Sequence, residues 1–208
     1  AEEREALPTA CVAALQGHTG AVWSVESLGA GALASGSADK SIKLWDLQAG
    51  RCTATLLGHS GAVWSLASLG GGCLASASMD TSVRLWDTQA CRCVGTLQGH
   101  RDGVLSVAAL GAGRLASGSD DRSIKVWDAQ AGRCLATLVG HSGPVWAVAS
   151  LEAGKLASAS SDTSVRVWDL EVGRCVTTLL GRSDWVQSLA VLGPGRLASG
   201  SCDRSIAL

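Results

Sequence analysis

Short β-prone apolar runs, each closed by Gly, Asp or Ser, recur along the chain. One cycle shows the pattern. VWSV (22–25) leads into the Gly-rich LGAGA, then LASGS (33–37). Ala38-Asp39-Lys40 turns the chain into SIKLWD (41–46), and LQAGR leads to CTATL (52–56). Strands of four to six residues punctuated by glycine and aspartate predict an antiparallel four-stranded meander. Such a sheet cannot bury both faces by itself. Radial packing against copies of itself solves that problem.

The cycle repeats every 41 residues. Gly17-His18, Gly58-His59, Gly99-His100 and Gly140-His141 keep the period, and Gly181-Arg182 takes the fifth slot. Trp45-Asp46, Trp86-Asp87, Trp127-Asp128 and Trp168-Asp169 keep it too, as do Asp39, Asp80, Asp121, Asp162 and Asp203. The organisation is a tail, 1–10, and repeats at about 17–57, 58–98, 99–139, 140–180 and 181–208, the last without its Trp-Asp. Repeats one, three and five carry SGS then DK or DR. Repeats two and four carry SAS then DT, which suggests pairwise duplication.

Gly-His, 26 intervening residues, then Trp-Asp, together with LASGSADKSIKLWD (33–46), resemble the WD-repeat family over about residues 10–208. The resemblance implies an all-β propeller of five four-stranded blades. The isolated strand at about 11–15 would then complete the last blade. The alternative is a five-blade arc of a longer, seven-blade ring. The resemblance also implies hydrogen-bonded sets tying loops to the third strand. These are His18, Ser35, Asp39, Trp45; His59, Ser76, Asp80, Trp86; His100, Ser117, Asp121, Trp127; and His141, Ser158, Asp162, Trp168. An unpaired buried indole or imidazole costs ~1–3 kcal/mol, so such sets are structural. Repeat five has Arg182 in place of the histidine and lacks the Trp of Trp-Asp. Its set is expected to be broken or different, and its blade the least stable.

Composition narrows the functions. A formal net charge of -1 gives no basic excess for nucleic acid. No apolar run approaches the ~18 residues of a membrane span. AEEREALPTA (1–10) lacks the basic start and apolar run of a signal peptide, so neither membrane anchoring nor export is expected. Phe and Tyr are absent, so the core must be built from Val, Leu, Ile, Ala and Trp.

The chemically active residue types fall on the period. The four histidines are equivalent positions of separate blades, too far apart to share a metal at ~2.0 Å bonds. Of eight cysteines, Cys11, Cys52, Cys93, Cys134 and Cys175 begin outer strands. Their separation exceeds the ~5.5 Å Cα distance of a disulfide. They are expected to be small buried apolar residues in an intracellular, reducing compartment, cytoplasm or nucleus. LGAGAL and LGGGCL lack the Lys-Ser/Thr and helix of a phosphate loop. No free His is left to activate a serine. The expectation is no enzyme, no cofactor, no metal and no small-molecule substrate.

Off-period residues are left to carry function. The resemblance places Trp23, Trp64, Leu105, Trp146 and Gln187 at the mouth of a central channel. The indoles there either wall a pocket for a cationic side chain, at ~0.5–2 kcal/mol per cation–π contact, or pack together as a plug. The Gly-His rim also carries Arg101, Asp102, Asp184, Trp185, Arg122 and Arg204. Trp185 stands at an otherwise small-residue position, either as an interface anchor or as an incidental Trp on a solvated loop. The reading is a scaffold or adaptor binding protein or peptide partners through this rim. The alternative is a subunit permanently embedded in a large assembly.

Overall fold

The computed structural model describes residues 13–208. The chain forms a five-blade β-propeller. Blade one is β1 (Val22–Gly29), β2 (Ala32–Ser37), β3 (Ile42–Asp46) and β4 (Arg51–Leu56). Blade two is β5 (Val63–Gly70), β6 (Cys73–Ser78), β7 (Val83–Asp87) and β8 (Arg92–Leu97). Blade three is β9 (Val104–Gly111), β10 (Arg114–Ser119), β11 (Ile124–Asp128) and β12 (Arg133–Leu138). Blade four is β13 (Val145–Ser150), β14 (Lys155–Ser160), β15 (Val165–Asp169) and β16 (Arg174–Leu179). Blade five has β17 (Val186–Gly193), β18 (Arg196–Ser201) and the two-residue β19 (Ile206–Ala207). Every sheet is an antiparallel meander in chain order.

The core lies between blades. Ala34, Ile42, Leu44 and Leu56 of blade one pack on Val63, Leu66, Leu74 and Trp86 of blade two. The same partition recurs between blades two and three, and three and four. Trp86, Trp127 and Trp168 therefore each seal a joint with the preceding blade. Gly58, at φ +153°, lies against that ring: a Cβ there would sit 3.3 Å from Trp86 and 2.6 Å from Arg84. That explains the glycine before the histidine.

Side chains of one inner strand also accept hydrogen bonds from the next. Leu66 N–H donates to Ser24 Oγ (3.0 Å), Ser68 N–H to Glu26 (2.8 Å), Val107 N–H to Ser65 Oγ (3.2 Å) and Val148 N–H to Ser106 Oγ (3.1 Å). Residue 147, the next in this series, is alanine.

The closing strand expected at 11–15 is not seen among the described residues. Residues 11 and 12 lie outside them, residues 13–15 form no strand, and blade five has three strands. The end blades are open on their flanks. Val22 is 48% exposed, whereas its equivalents Val63, Val104, Val145 and Val186 are fully buried. The described residues thus form an arc of blades.

The outer-strand cysteines correct an expectation. Cys134 is exposed, and Cys52, Cys93 and Cys175 are half-buried; all seven described cysteines are free. The outer strands of blades one to four each carry a bulge next to the cysteine. Trp45 pairs with Cys52 but Leu44 pairs with Ala54, which leaves Thr53 as the extra residue. Val94, Leu135 and Val176 are the extra residues of the other blades. Cys52 and Cys93 keep the inward side of the strand alternation, and Cys93 and Cys175 pack at the edge of a core cluster. An outer strand, however, has one neighbour only to cover it, and the thiol bonds a carbonyl two residues on, at 3.2 Å for Cys52. A bulged outer strand also resists edge-to-edge pairing.

Candidate interaction surface

The Gly-His loop and the β2–β3 turn meet on one rim. Ala38 N–H donates to Ala21 O (2.8 Å), and Met79 N–H to Ala62 O (3.0 Å) in blade two. Side chains lock the pair. In blade two, His59 Nδ1 lies 2.7 Å from Asp80 Oδ2 and Nε2 lies 2.7 Å from Ser76 Oγ. Ser76 Oγ accepts the Trp86 indole N–H at 2.8 Å. One arrangement of protons satisfies all of these: Nδ1–H donates to the carboxylate, and the serine hydroxyl donates to Nε2. The same bonds join His18, Asp39, Ser35 and Trp45; His100, Asp121, Ser117 and Trp127; and His141, Asp162, Ser158 and Trp168.

The carboxylate does more than hold the histidine. Asp80 Oδ2 accepts the Ser60 N–H, and Oδ1 accepts both the backbone N–H and the hydroxyl of Ser82, the latter at 2.6 Å. Ser41, Ser123, Ser164 and Ser205 fill this place in the other blades. The sequence reading passed over these serines, although they keep the 41-residue period. Burial opposes ionisation of Asp80, Asp121 and Asp162. The hydrogen bonds from Ser82, Ser123 and Ser164, with those of the histidine and rim amide, overcome it and hold each pKa at about 2. Burial pushes His59, His100 and His141 below the usual imidazole value, against the pull of their aspartates.

A Ser-His-Asp chain of this geometry also occurs in hydrolases. Here Ser76, Ser117 and Ser158 are fully buried, and each hydroxyl is occupied by an indole N–H and an imidazole. No substrate carbonyl can reach such an oxygen. Among the described residues there is no cluster of three metal-ligating side chains.

In blade five, Arg182 Nη2 donates to Asp203 Oδ1 (3.2 Å) and to the Ser205 carbonyl, so an arginine bridges the loop and turn without an imidazole.

The channel-mouth residues form a row. Trp23 stacks on Trp64 at 4.7 Å between centroids, Trp64 meets Trp146 edge-on at 6.1 Å, and Trp146 stacks on Trp185 at 6.2 Å. Trp64 and Trp146 belong to blades two and four, and they meet past blade three because that blade supplies the shorter, buried Leu105. The two middle rings bury their Nε1 atoms without a partner. The row ends are open: Trp23 is 49% and Trp185 48% exposed. Gln187 is exposed and takes no part in these ring contacts. The indoles thus pack on one another and fill space along the row.

The remaining rim candidates divide in two. Arg101, Asp102 and Arg122 lie on blade three, beside Asp120, whose carboxyl is pushed up by burial and by Asp102 and Asp121. Asp184, Trp185 and Arg204 lie on blade five, where Asp184 Oδ1 accepts the Trp185 N–H at 2.8 Å. Arg122 and Arg204 hold left-handed backbone, φ 68° and 69°, in the turn that follows each rim aspartate.

The family model described as "WD domain, G-beta repeat" matches residues 9–46, 50–87, 91–128, 132–169 and 173–208. The chain belongs to this WD-repeat family. Each WD unit after the first straddles two blades: residues 50–87 hold β4 of blade one and β5–β7 of blade two. Covalent continuity therefore crosses each joint that the tryptophans seal. Among solved structures, that of U3-55K is similar, with TM-score 0.87 and 29% identity over 93% of this chain and 62% of that one. The WD-repeat chain thus spans less than two thirds of the U3-55K chain. No curated protein matches it significantly in sequence. No helix among the described residues is long and apolar enough to cross a membrane.

Proposed function

We propose that this chain is a non-catalytic scaffold that binds protein or peptide partners through its Gly-His rim. The observation that carries the reading is the indole row with its half-exposed ends, in which Trp23, Trp64 and Trp146 stand at the starts of inner strands and Trp185 immediately before β17. A half-exposed Trp in a stacked row is pre-ordered, so little side-chain entropy is lost on binding. Trp and Arg are frequent interface anchors, and Trp185 has Arg204 on the adjoining turn. No cofactor, nucleic acid or small molecule enters this reading. A reducing, intracellular setting suits the free cysteines, and thiol titration of protein taken from its own cells tests it: oxidised cysteines would contradict it. For the rim, Trp185→Ala and Trp64→Ala variants are compared with the parent in quantitative pull-downs from cell extract. Specific partners should fall at least tenfold while circular dichroism stays unchanged. Unaltered partner recovery by folded variants removes the rim from consideration.

One observation favours a second reading, a subunit held permanently in a larger assembly. Val22 and Val25 expose apolar surface on the flank of blade one. Sedimentation of the isolated chain separates the readings, since a stable, soluble monomer contradicts the second.

A further inference from the structure

Blade three holds a rim cavity of about 410 Å³ between its Gly-His loop and its outer strand. Arg101, Asp121, Lys125, Thr137 and Val139 stand in its walls. The space is left by a lysine. In blades two and four the residues equivalent to Lys125 are Arg84 and Arg166, and their guanidinium groups lie against the glycine before the histidine. A Cβ on Gly58 would come within 2.6 Å of Arg84 Nη1, and one on Gly140 within 3.0 Å of Arg166 Nη1. On Gly99 the nearest Lys125 atom would be Cε, at 3.7 Å. Lys125 Nζ is drawn instead to the outer strand, where it donates to Thr137 Oγ1 at 2.9 Å. Blade one has the same pair, Lys43 and Thr55, but it has Thr19 where blade three has Arg101. Blades two, four and five have Ser60, Ser142 and Ser183 there. Among the described blades, only the third combines the slimmer lysine with a second cation.

Neither cation is neutralised. Arg101 donates its backbone N–H to Asp121 Oδ2 at 2.9 Å, and its guanidinium has no partner among the described residues. Lys125 makes no ion pair among them either. Asp121, the one carboxylate in the wall, is already saturated. Its Oδ2 also holds His100 Nδ1 at 2.8 Å, and its Oδ1 accepts the N–H and the hydroxyl of Ser123 at 2.9 and 2.6 Å. Two cations against one ionised aspartate leave the cavity with a single positive charge. We propose that it binds a carboxylate, the side chain of a glutamate or aspartate on a peptide partner. The peptide source rests on the rim-binding function proposed above, and the carboxylate on the cavity itself. One negative charge matches the cavity, whereas the second charge of a phosphate would face Asp121. The guanidinium fork takes both oxygens of a carboxylate side by side, and Lys125 keeps two N–H groups free for the same ligand. Val139, in the same wall and 73% exposed, offers apolar contact to a neighbouring residue of the peptide.

The test titrates the whole chain, followed by amide NMR shifts, with sodium acetate and with capped tripeptides Leu-Xaa-Leu in which Xaa is glutamate, glutamine or phosphoserine. The glutamate peptide should shift the amides of Arg101, Lys125 and Thr137. It should bind about fivefold more tightly than the glutamine peptide at low salt, and the two should converge at about 0.5 M salt. Phosphoserine should improve on glutamate by no more than about twofold. Arg101→Gln should remove the preference for glutamate. Lys125→Arg keeps the charge but fills the space as Arg84 does in blade two, and it should remove the preference as well. Ser60→Arg combined with Arg84→Lys should build a second such site in blade two. Equal affinity for the glutamate and glutamine peptides overturns the carboxylate. A preference that survives Lys125→Arg overturns the cavity and leaves a diffuse surface charge. A phosphoserine peptide that binds about tenfold more tightly than glutamate overturns the carboxylate in favour of a phosphate. Shifts with acetate but not with the glutamate peptide overturn the peptide source. The two readings fail separately: losing the glutamate preference leaves the Trp185 pull-down result standing, and a Trp185→Ala variant that keeps its partners leaves the preference standing.

Discussion

Trp86 and His59 meet on one oxygen. The indole N–H donates to Ser76 Oγ at 2.8 Å, and the imidazole Nε2 lies 2.7 Å from the same atom. Ser76 is fully buried, so neither ring has water to fall back on. Ser76→Ala strands the indole N–H and removes the donor to Nε2. Each orphaned buried group costs ~1–3 kcal/mol, so the expected loss is about 3 kcal/mol. Ser60→Ala, at the exposed serine beside His59, removes a hydroxyl outside this network and should cost under about 0.5 kcal/mol. Urea unfolding of the two variants makes the comparison. Equal losses would mean that the serine matters for packing and not for the bonds it makes.

Acid should destabilise the fold in two stages. His59, His100 and His141 are held below the ordinary imidazole value in the fold, first by burial. As pH falls past about 6.5, the unfolded chain takes up protons that the folded chain refuses. Stability is then full above that pH and declines below it, by at most ~1.4 kcal/mol per pH unit for each group. Asp80, Asp121 and Asp162 have folded pKa values of about 2 against 3.8 as the ordinary value. Their contribution is present above about 4 and is lost as pH drops towards 2. The urea midpoint should therefore fall between pH 7 and pH 5 and fall again below pH 4. A midpoint flat from pH 7 to 5 contradicts the histidine step.

The 41-residue period made the blade legible because one blade is one cycle, and it marked Ser35, Asp39 and Trp45 as positions of the same kind in every repeat. It also contained Ser41 and Ser24, whose bonds to Asp39 and to Leu66 became visible only in three dimensions. Cys52 was misread because alternation gives the face and not the depth: it lies on the same side as Ala54 and Leu56, but near the start of an outer strand that has one neighbour only. The contact of Trp146 with Trp185 was hidden for another reason. The two residues occupy different repeat positions, two apart, so comparing equivalent sites never brings them together. Exposure of Leu179 depends on what lies across the joint, and the strand's own sequence, RCVTTL, matches its buried counterparts.

The joint between blades four and five lacks one recurrent bond. Ser24, Ser65 and Ser106 each accept an N–H from the next inner strand, whereas Ala147 carries no acceptor for the Leu189 N–H. Ala147→Ser should restore the bond and stabilise blade five by ~0.5–1.5 kcal/mol. Hydrogen exchange localises the gain. Protection should rise at Leu189 and its β17 neighbours and stay constant in blades one and two. Unchanged protection at Leu189 means that the hydroxyl does not reach.

The alternation of SGS and SAS has a packing cause at the joints. Gly36 lies under Val63: a Cβ there would come within 2.6 Å of the valine Cγ1, and at Gly118 within 2.7 Å of Val145 Cγ1. Ala77 and Ala159 occupy the same position in blades two and four, fully buried against Val104 and Val186. The joints therefore come in two spacings, tight after the glycine blades and wider after the alanine blades. Gly36→Ala should overpack its joint and cost ~1–3 kcal/mol. Ala77→Gly should cost about 1 kcal/mol by a different route, through lost methyl contact and a looser unfolded chain. A double mutant separates steric conflict from backbone strain. Val63→Ala removes the clashing methyl groups, so Gly36→Ala should cost much less in that background, with a coupling of ~1 kcal/mol or more. Additive losses in urea unfolding would show that the valine is not what forbids the methyl, and that the two joint spacings have another origin.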